Sequence, residues 1–117
     1  GYLSGARETS ALRQTSIRFG EFRIDPAAHT LSRAGATIAL RPRTWEVLLY
    51  LAQRPGMLVS TRQLFDALWP GIAVTPSTLT NVISELRVAL DDRGRPPRII
   101  ETLHRRGYRF IADIATE

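Results

Sequence analysis

Cysteine is absent from this 117-residue chain. That one absence excludes a disulfide framework, thiolate zinc sites, iron–sulfur clusters and a cysteine nucleophile. Histidine is scarce: His29 and His104 are too few for a histidine-rich metal site, so neither a metal nor a cofactor is expected. Lysine is missing as well, and all 16 basic residues are arginine. No apolar run approaches the roughly 20 residues that a membrane span needs. Residues 1–5 lack the basic-then-apolar order of a secretory signal. There is no Gly-rich phosphate loop and no βαβ alternation, which argues against a Rossmann-type or flavodoxin-like enzyme.

What is present is an ordinary globular composition with a basic excess. The chain is 44% hydrophobic and 23% charged, which fits one soluble domain, expected in the cytoplasm. Sixteen basic residues against eleven acidic ones leave a net charge of +5. That sign favours a polyanionic partner, nucleic acid ahead of an anionic membrane face. The excess is local: six arginines lie between Arg93 and Arg109 against a single acid, Glu101.

Residues 1–16 are small and polar without a sustained period and read as a tail or linker, with a short helix expected over 8–14. From Ile17 the pattern changes. Ile17, Phe19, Phe22 and Ile24 alternate with charged neighbours, apart from a slip at Gly20–Glu21 that fits a bulge or a turn. Asp25–Pro26 breaks the run, and two more strand-like pieces flank the turn signal Ala34–Gly35. Residues 17–40 therefore read as a small antiparallel meander that needs a cover for its apolar face.

Three helices supply that cover. Pro42 opens the first, whose apolar members Trp45, Leu48, Leu49, Leu51 and Ala52 run until Pro55–Gly56. Ser60 is expected to cap the second, with Leu64, Phe65 and Leu68 leading to Trp69. Thr75 is expected to cap the third, with Pro76 at its first position. The stripe Leu79, Ile83, Leu86, Leu90 of this third helix, spaced by four, three and four, is the strongest periodic signal in the chain. A polar, turn-rich segment over 91–97 leads to a closing hairpin over 99–111.

Set out at about 100° per residue from Leu79, the third helix turns its apolar stripe to about 0–40° and its polar groups away from it. Ser77, Asn81, Ser84, Glu85 and Val88 fall on the opposite side, with Thr80, Arg87 and Asp91 on one flank and Thr78 on the other. Short hydrogen-bonding groups on an outer face suit base and phosphate contacts: Asn pairs with adenine N6 and N7, and Glu accepts from cytosine N4. The same face also fits a helix that only meets water. The hairpin tip His104–Arg105–Arg106–Gly107 puts cations where the chain reverses, suited to a minor groove or to phosphates. It offers no apolar face for a membrane.

Four collinear stretches carry a resemblance: FGEFRIDPAAHTLSRAG (19–35), RPRTWEVLLYLAQRPGMLVSTRQLFDALW (41–69), LTNVISELRVAL (79–90) and IIETLHRRGYRF (99–110). Together they resemble the OmpR/PhoB winged helix-turn-helix domain, with details closest to the ToxR/CadC-like branch. The resemblance implies an α+β fold: an N-terminal four-stranded antiparallel sheet, three helices and a C-terminal β-hairpin wing. It places the domain at 17–113, between a tail or linker over 1–16 and a C-terminal tail over 114–117. It implies a recognition helix over 76–91 in the major groove with base-facing Ser77, Asn81 and Glu85. Thr78, Ser84 and Arg87 match positions that touch phosphates or neighbouring bases. In the wing (99–111), Thr102 and His104 match backbone and minor-groove contacts, and Arg105 and Arg106 add charge. Trp69 matches a phosphate-reaching position, with a core role as the alternative. Residues 69–75 match a loop through which some relatives touch RNA polymerase. Several relatives carry arginine or histidine where this chain has Val82, Ser84 and Glu85, so their base preference does not transfer.

The function expected is sequence-specific binding of double-stranded DNA by a bacterial transcriptional regulator, in the nucleoid and as a tandem dimer on DNA. The alternative is a winged-helix protein-interaction module without DNA binding. An enzyme is disfavoured: His29 near Asp25 and His104 near Glu101 are the only acid–base pairs on offer, without an obvious nucleophile or oxyanion donors.

Overall fold

The computed structural model describes residues 15–116. The short helix expected over 8–14 and most of the expected linker lie outside the described residues. Ser16 lies inside the fold: it is buried, and its hydroxyl accepts from Arg23 Nη2 at 2.9 Å.

Four short strands, β1 (Ile17–Phe19), β2 (Phe22–Asp25), β3 (Thr30–Arg33) and β4 (Ala36–Ile38), form the antiparallel meander. The slip at Gly20–Glu21 is a tight turn that pairs Phe19 with Phe22 and stacks their rings at 5.4 Å. Ala34 and Gly35 both take positive φ (49° and 86°), as a two-residue type I′ hairpin requires. Asp25 ends β2 by accepting from the Ala27 and Ala28 N–H groups at 3.1 and 3.3 Å. The registers align Ile17, Ile24, Leu31 and Ile38 in one row across the sheet.

The expected tail is part of this sheet. Ala115–Thr116 forms β8, pairs antiparallel with β1 and makes the sheet five-stranded, in the order β4-β3-β2-β1-β8. The boundary expected at 113 is therefore corrected: a two-residue strand is too short to show alternation in sequence. A further strand, β5 (Leu58–Ser60), was invisible for the same reason. It joins β7 (Gly107–Phe110) and β6 (Ile100–Leu103) in a three-stranded sheet of order β5-β7-β6.

Helices α1 (Pro42–Ala52), α2 (Thr61–Leu68) and α3 (Pro76–Ala89) share one core with both sheets. Pro42 sits in the first turn of α1, where its missing N–H costs nothing. The Ser60 hydroxyl caps α2 by accepting from Gln63 N at 3.0 Å. Thr75 occupies the N-cap position of α3 but makes no side-chain bond to the backbone. Its hydroxyl turns instead to Ser77 Oγ at 2.9 Å and Thr78 Oγ1 at 3.4 Å, which corrects the expected cap. Leu79, Ile83, Leu86 and Leu90 are all buried, as the period required, and meet Trp45, Leu48, Leu51, Leu64, Ile100 and Phe110 in one core. The result is an α+β winged helix-turn-helix, with α2 and α3 as its helix pair and the β6–β7 hairpin as its wing.

Candidate nucleic-acid interface

Because the Leu79–Leu90 stripe holds α3 to the core, the opposite side faces out. Ser77, Asn81 and Ser84 are exposed there, and Val88 joins them at 62% exposure. The two flanks of the helix are not equivalent to this face, because each is tied to another element.

On one flank Glu85 points towards the start of α1. Its Oε2 accepts from the buried Thr44 hydroxyl at 3.1 Å, and Oε1 lies 3.8 Å from Arg41 Nη1. Thr78, on the same flank, is half-buried. On the other flank Arg87 reaches the wing. Its Nη2 donates to the Ile100 carbonyl at 3.0 Å and to Thr102 Oγ1 at 2.6 Å, while its buried Nε has no partner among the described residues. Of the expected contact residues, Glu85, Arg87 and Thr102 therefore also hold the scaffold together. Sequence reasoning did not find these partners, because Thr44 lies 41 positions from Glu85 and Thr102 15 positions from Arg87.

The wing turns at residues 104–106. Arg105 takes a positive φ of 63°, and Arg106 N closes the turn onto the Leu103 carbonyl at 2.9 Å. His104, Arg105 and Arg106 are all exposed. Their side chains make no hydrogen bond or ion pair with any described residue. Gly107 then starts β7 so close to β5 that an added Cβ would stand 2.0 Å from the Val59 carbonyl oxygen. Behind the tip, Glu101 accepts from Arg109 across the hairpin.

The loop from α3 to β6 is held by a residue that the sequence did not flag. Asp92 is 4% exposed, and its carboxylate accepts from three backbone N–H groups: Arg98 at 2.7 Å, Ile99 at 3.1 Å and Ile100 at 2.9 Å. Trp69 is half-buried, packs edge-on to Phe65 with centroids 5.7 Å apart, and has the Arg43 guanidinium over its ring at 5.7 Å.

In each of the two acid–base pairs offered by the sequence, the acid has another partner. Asp25 shapes its turn, His29 stacks on Trp45 with centroids 4.5 Å apart, and Glu101 binds Arg109. Among the described residues no three His, Asp or Glu side chains are grouped to hold a metal, and no helix is long and apolar enough to cross a membrane.

The pattern of the family described as "Transcriptional regulatory protein, C terminal" matches residues 35–110, which contain all three helices and the wing. The chain belongs to this family. Family members similar to it include the transcriptional activator CadC of Escherichia coli, 34% identical over 104 residues, which are 88% of this chain and 20% of CadC. The cholera toxin transcriptional activator of Vibrio cholerae is 36% identical over 101 residues, 82% of this chain and 34% of that protein. The chain thus spans about a third or less of the length of these two relatives. Among solved structures, the DNA-binding domain of Escherichia coli CadC superposes with a TM-score of 0.76 at 33% identity, covering 89% of this chain and 98% of that one. The DNA-binding domain of Klebsiella pneumoniae RstA, in complex with the RstA box, gives 0.73 at 28% identity, covering 82% and 96%. Family membership and fold thus agree with the resemblance drawn from the four sequence stretches.

Proposed function

We propose that this chain is the sequence-specific, double-stranded DNA-binding module of a bacterial transcriptional regulator. The observation that carries the reading is the pairing of two surfaces: the exposed hydroxyl and amide face of α3 and a wing tip whose Arg105 and Arg106 side chains make no hydrogen bond or ion pair with any described residue. A helix face of this kind reads base edges in a major groove, and protruding guanidinium groups hold phosphates or enter a minor groove. Ser77 and Asn81 are the central readers. Ser84 and Thr78 lie at the edges of the face, and Glu85 reads from a side chain already oriented by Thr44 and Arg41. Arg87 and Thr102 line the seam between helix and wing, and His104, Arg105 and Arg106 form the tip. The RstA structure, a similar DNA-binding domain solved in complex with the RstA box, supports DNA as the partner.

DNA as the partner puts this domain in the cytoplasm, at the nucleoid. It binds as a head-to-tail tandem dimer on direct repeats spaced by about one helical turn, near 10–11 bp. Residues 69–75, joining α2 to α3, are the surface offered to RNA polymerase. The sharpest test of DNA binding is a mobility shift on genomic fragments at several salt concentrations. If about four phosphates are neutralised per monomer, log K against log salt slopes near −3.6, at about −0.9 per phosphate. A slope near zero overturns the proposal and favours a protein-interaction module.

A further inference from the structure

The basic loop between α3 and β6 lies outside both surfaces assigned above. Its arginines are Arg93, Arg95 and Arg98, all exposed. A pocket of about 500 Å³ opens beside it, lined by Arg87, Arg93, Arg95 and Thr102 together with Asp92 and Glu101. Both acids are already engaged: Asp92 by its three backbone N–H groups and Glu101 by Arg109. Arg95 makes no hydrogen bond or ion pair with any described residue, and Arg93 has only the exposed Asp91 at 3.4 Å. The pocket therefore offers the guanidinium groups of Arg93 and Arg95, beside an Arg87 already bonded to Thr102 and to the Ile100 carbonyl, with its carboxylates held by neighbours. Asp92 anchors the far end of the loop, so the arginines are presented from a closed loop.

We propose that this pocket is a phosphodiester clamp, and that the α3–β6 loop is a third DNA-contacting element through Arg93 and Arg95. The inference rests on the DNA-binding reading. A duplex that takes α3 into its major groove and the wing into the adjacent minor groove has one strand's backbone crossing the seam between them. The pocket opens on that seam, because Arg87 from α3 and Thr102 from β6 meet there at 2.6 Å. Guanidinium groups suit a phosphodiester because their planar fork gives two parallel, charge-assisted bonds.

The experiment is phosphate-ethylation interference on a bound genomic duplex, with salt titration, for the wild type and two double variants. In Arg93→Ala/Arg95→Ala, interference disappears at one or two phosphates while the remaining pattern stays. The salt slope then flattens by about one unit for each phosphate no longer neutralised, equally for specific and random duplexes. Arg93→Lys/Arg95→Lys keeps the charge and recovers the slope. Both side chains are exposed, and circular dichroism checks that each variant is folded. A wild-type pattern that the alanine variant leaves intact, with an unchanged slope, overturns the clamp alone. No wild-type interference at any phosphate overturns the DNA-binding reading and the clamp with it.

Discussion

Arg87 on α3 and Thr102 on the wing strand are joined by a hydrogen bond of 2.6 Å, and the same guanidinium group also holds the Ile100 carbonyl. The helix proposed to read bases and the hairpin proposed to reach the neighbouring groove are thereby fixed to each other before any DNA arrives. Preorganisation of this kind lowers the ordering cost of binding.

A double-mutant cycle on that pair is the first expectation. Arg87→Ala should cost about 1–3 kcal/mol in urea unfolding, because it strips the Ile100 carbonyl and Thr102 of a charged donor. Thr102→Val alone should cost about 0.5–1.5 kcal/mol. The two should couple by at least about 0.5 kcal/mol, since each removes the other's partner. Strict additivity would mean that the bond does not tie helix to wing.

Asp92 should matter to stability more than any other acid in the chain. Asp92→Ala leaves three backbone N–H groups at the start of β6 without their carboxylate, in a buried place. A loss of about 2–4 kcal/mol in urea or thermal unfolding is expected. A loss below about 0.5 kcal/mol would show that water replaces the carboxylate at no cost.

Two glycine substitutions should separate strain from collision. Gly56 takes a φ of +74° with open space around a built Cβ, so Gly56→Ala should cost only about 1–2 kcal/mol. Gly107→Ala drives a Cβ to 2.0 Å from the Val59 carbonyl and must push β5 off β7. It should lose well over about 3 kcal/mol, or fail to fold, as overpacking against backbone predicts. Equal losses at the two positions would contradict the close approach of β5 to β7.

Much of this fold was legible because its signals are local and periodic. The four-residue and three-residue steps from Leu79 to Leu90 identified the buried side of α3, and all four leucine and isoleucine positions are buried. Ser60 announced the start of α2, and Ala34–Gly35 announced a hairpin. The elements that escaped are two or three residues long. Neither Leu58–Ser60 nor Ala115–Thr116 is long enough to alternate, and both become strands because a distant edge is waiting for them. The outer face of α3 was readable for Ser77, Asn81 and Ser84, since angle alone determines it. It was not readable for Glu85 and Arg87, whose long side chains follow partners on other elements. Asp92 gave no signal, because its acceptor role depends on a loop that returns six to eight residues later.

Reading is divided from holding between α3 and the wing tip, and one set of binding measurements tests that division. Asn81 is exposed near the middle of the outer face of α3, and its amide both donates and accepts; Arg105 and Arg106 at the wing tip only donate. Affinities of Asn81→Ala and of Arg105→Ala/Arg106→Ala, each checked for folding by circular dichroism, are measured on a specific and a random duplex across salt. Asn81→Ala should cost about 1–3 kcal/mol on the specific duplex and almost nothing on the random one. The wing variant should weaken both duplexes together and flatten the salt slope by about one unit for each phosphate that the tip no longer neutralises. Equal weakening of both duplexes by Asn81→Ala, or loss of sequence preference alone in the wing variant, would overturn this division of roles.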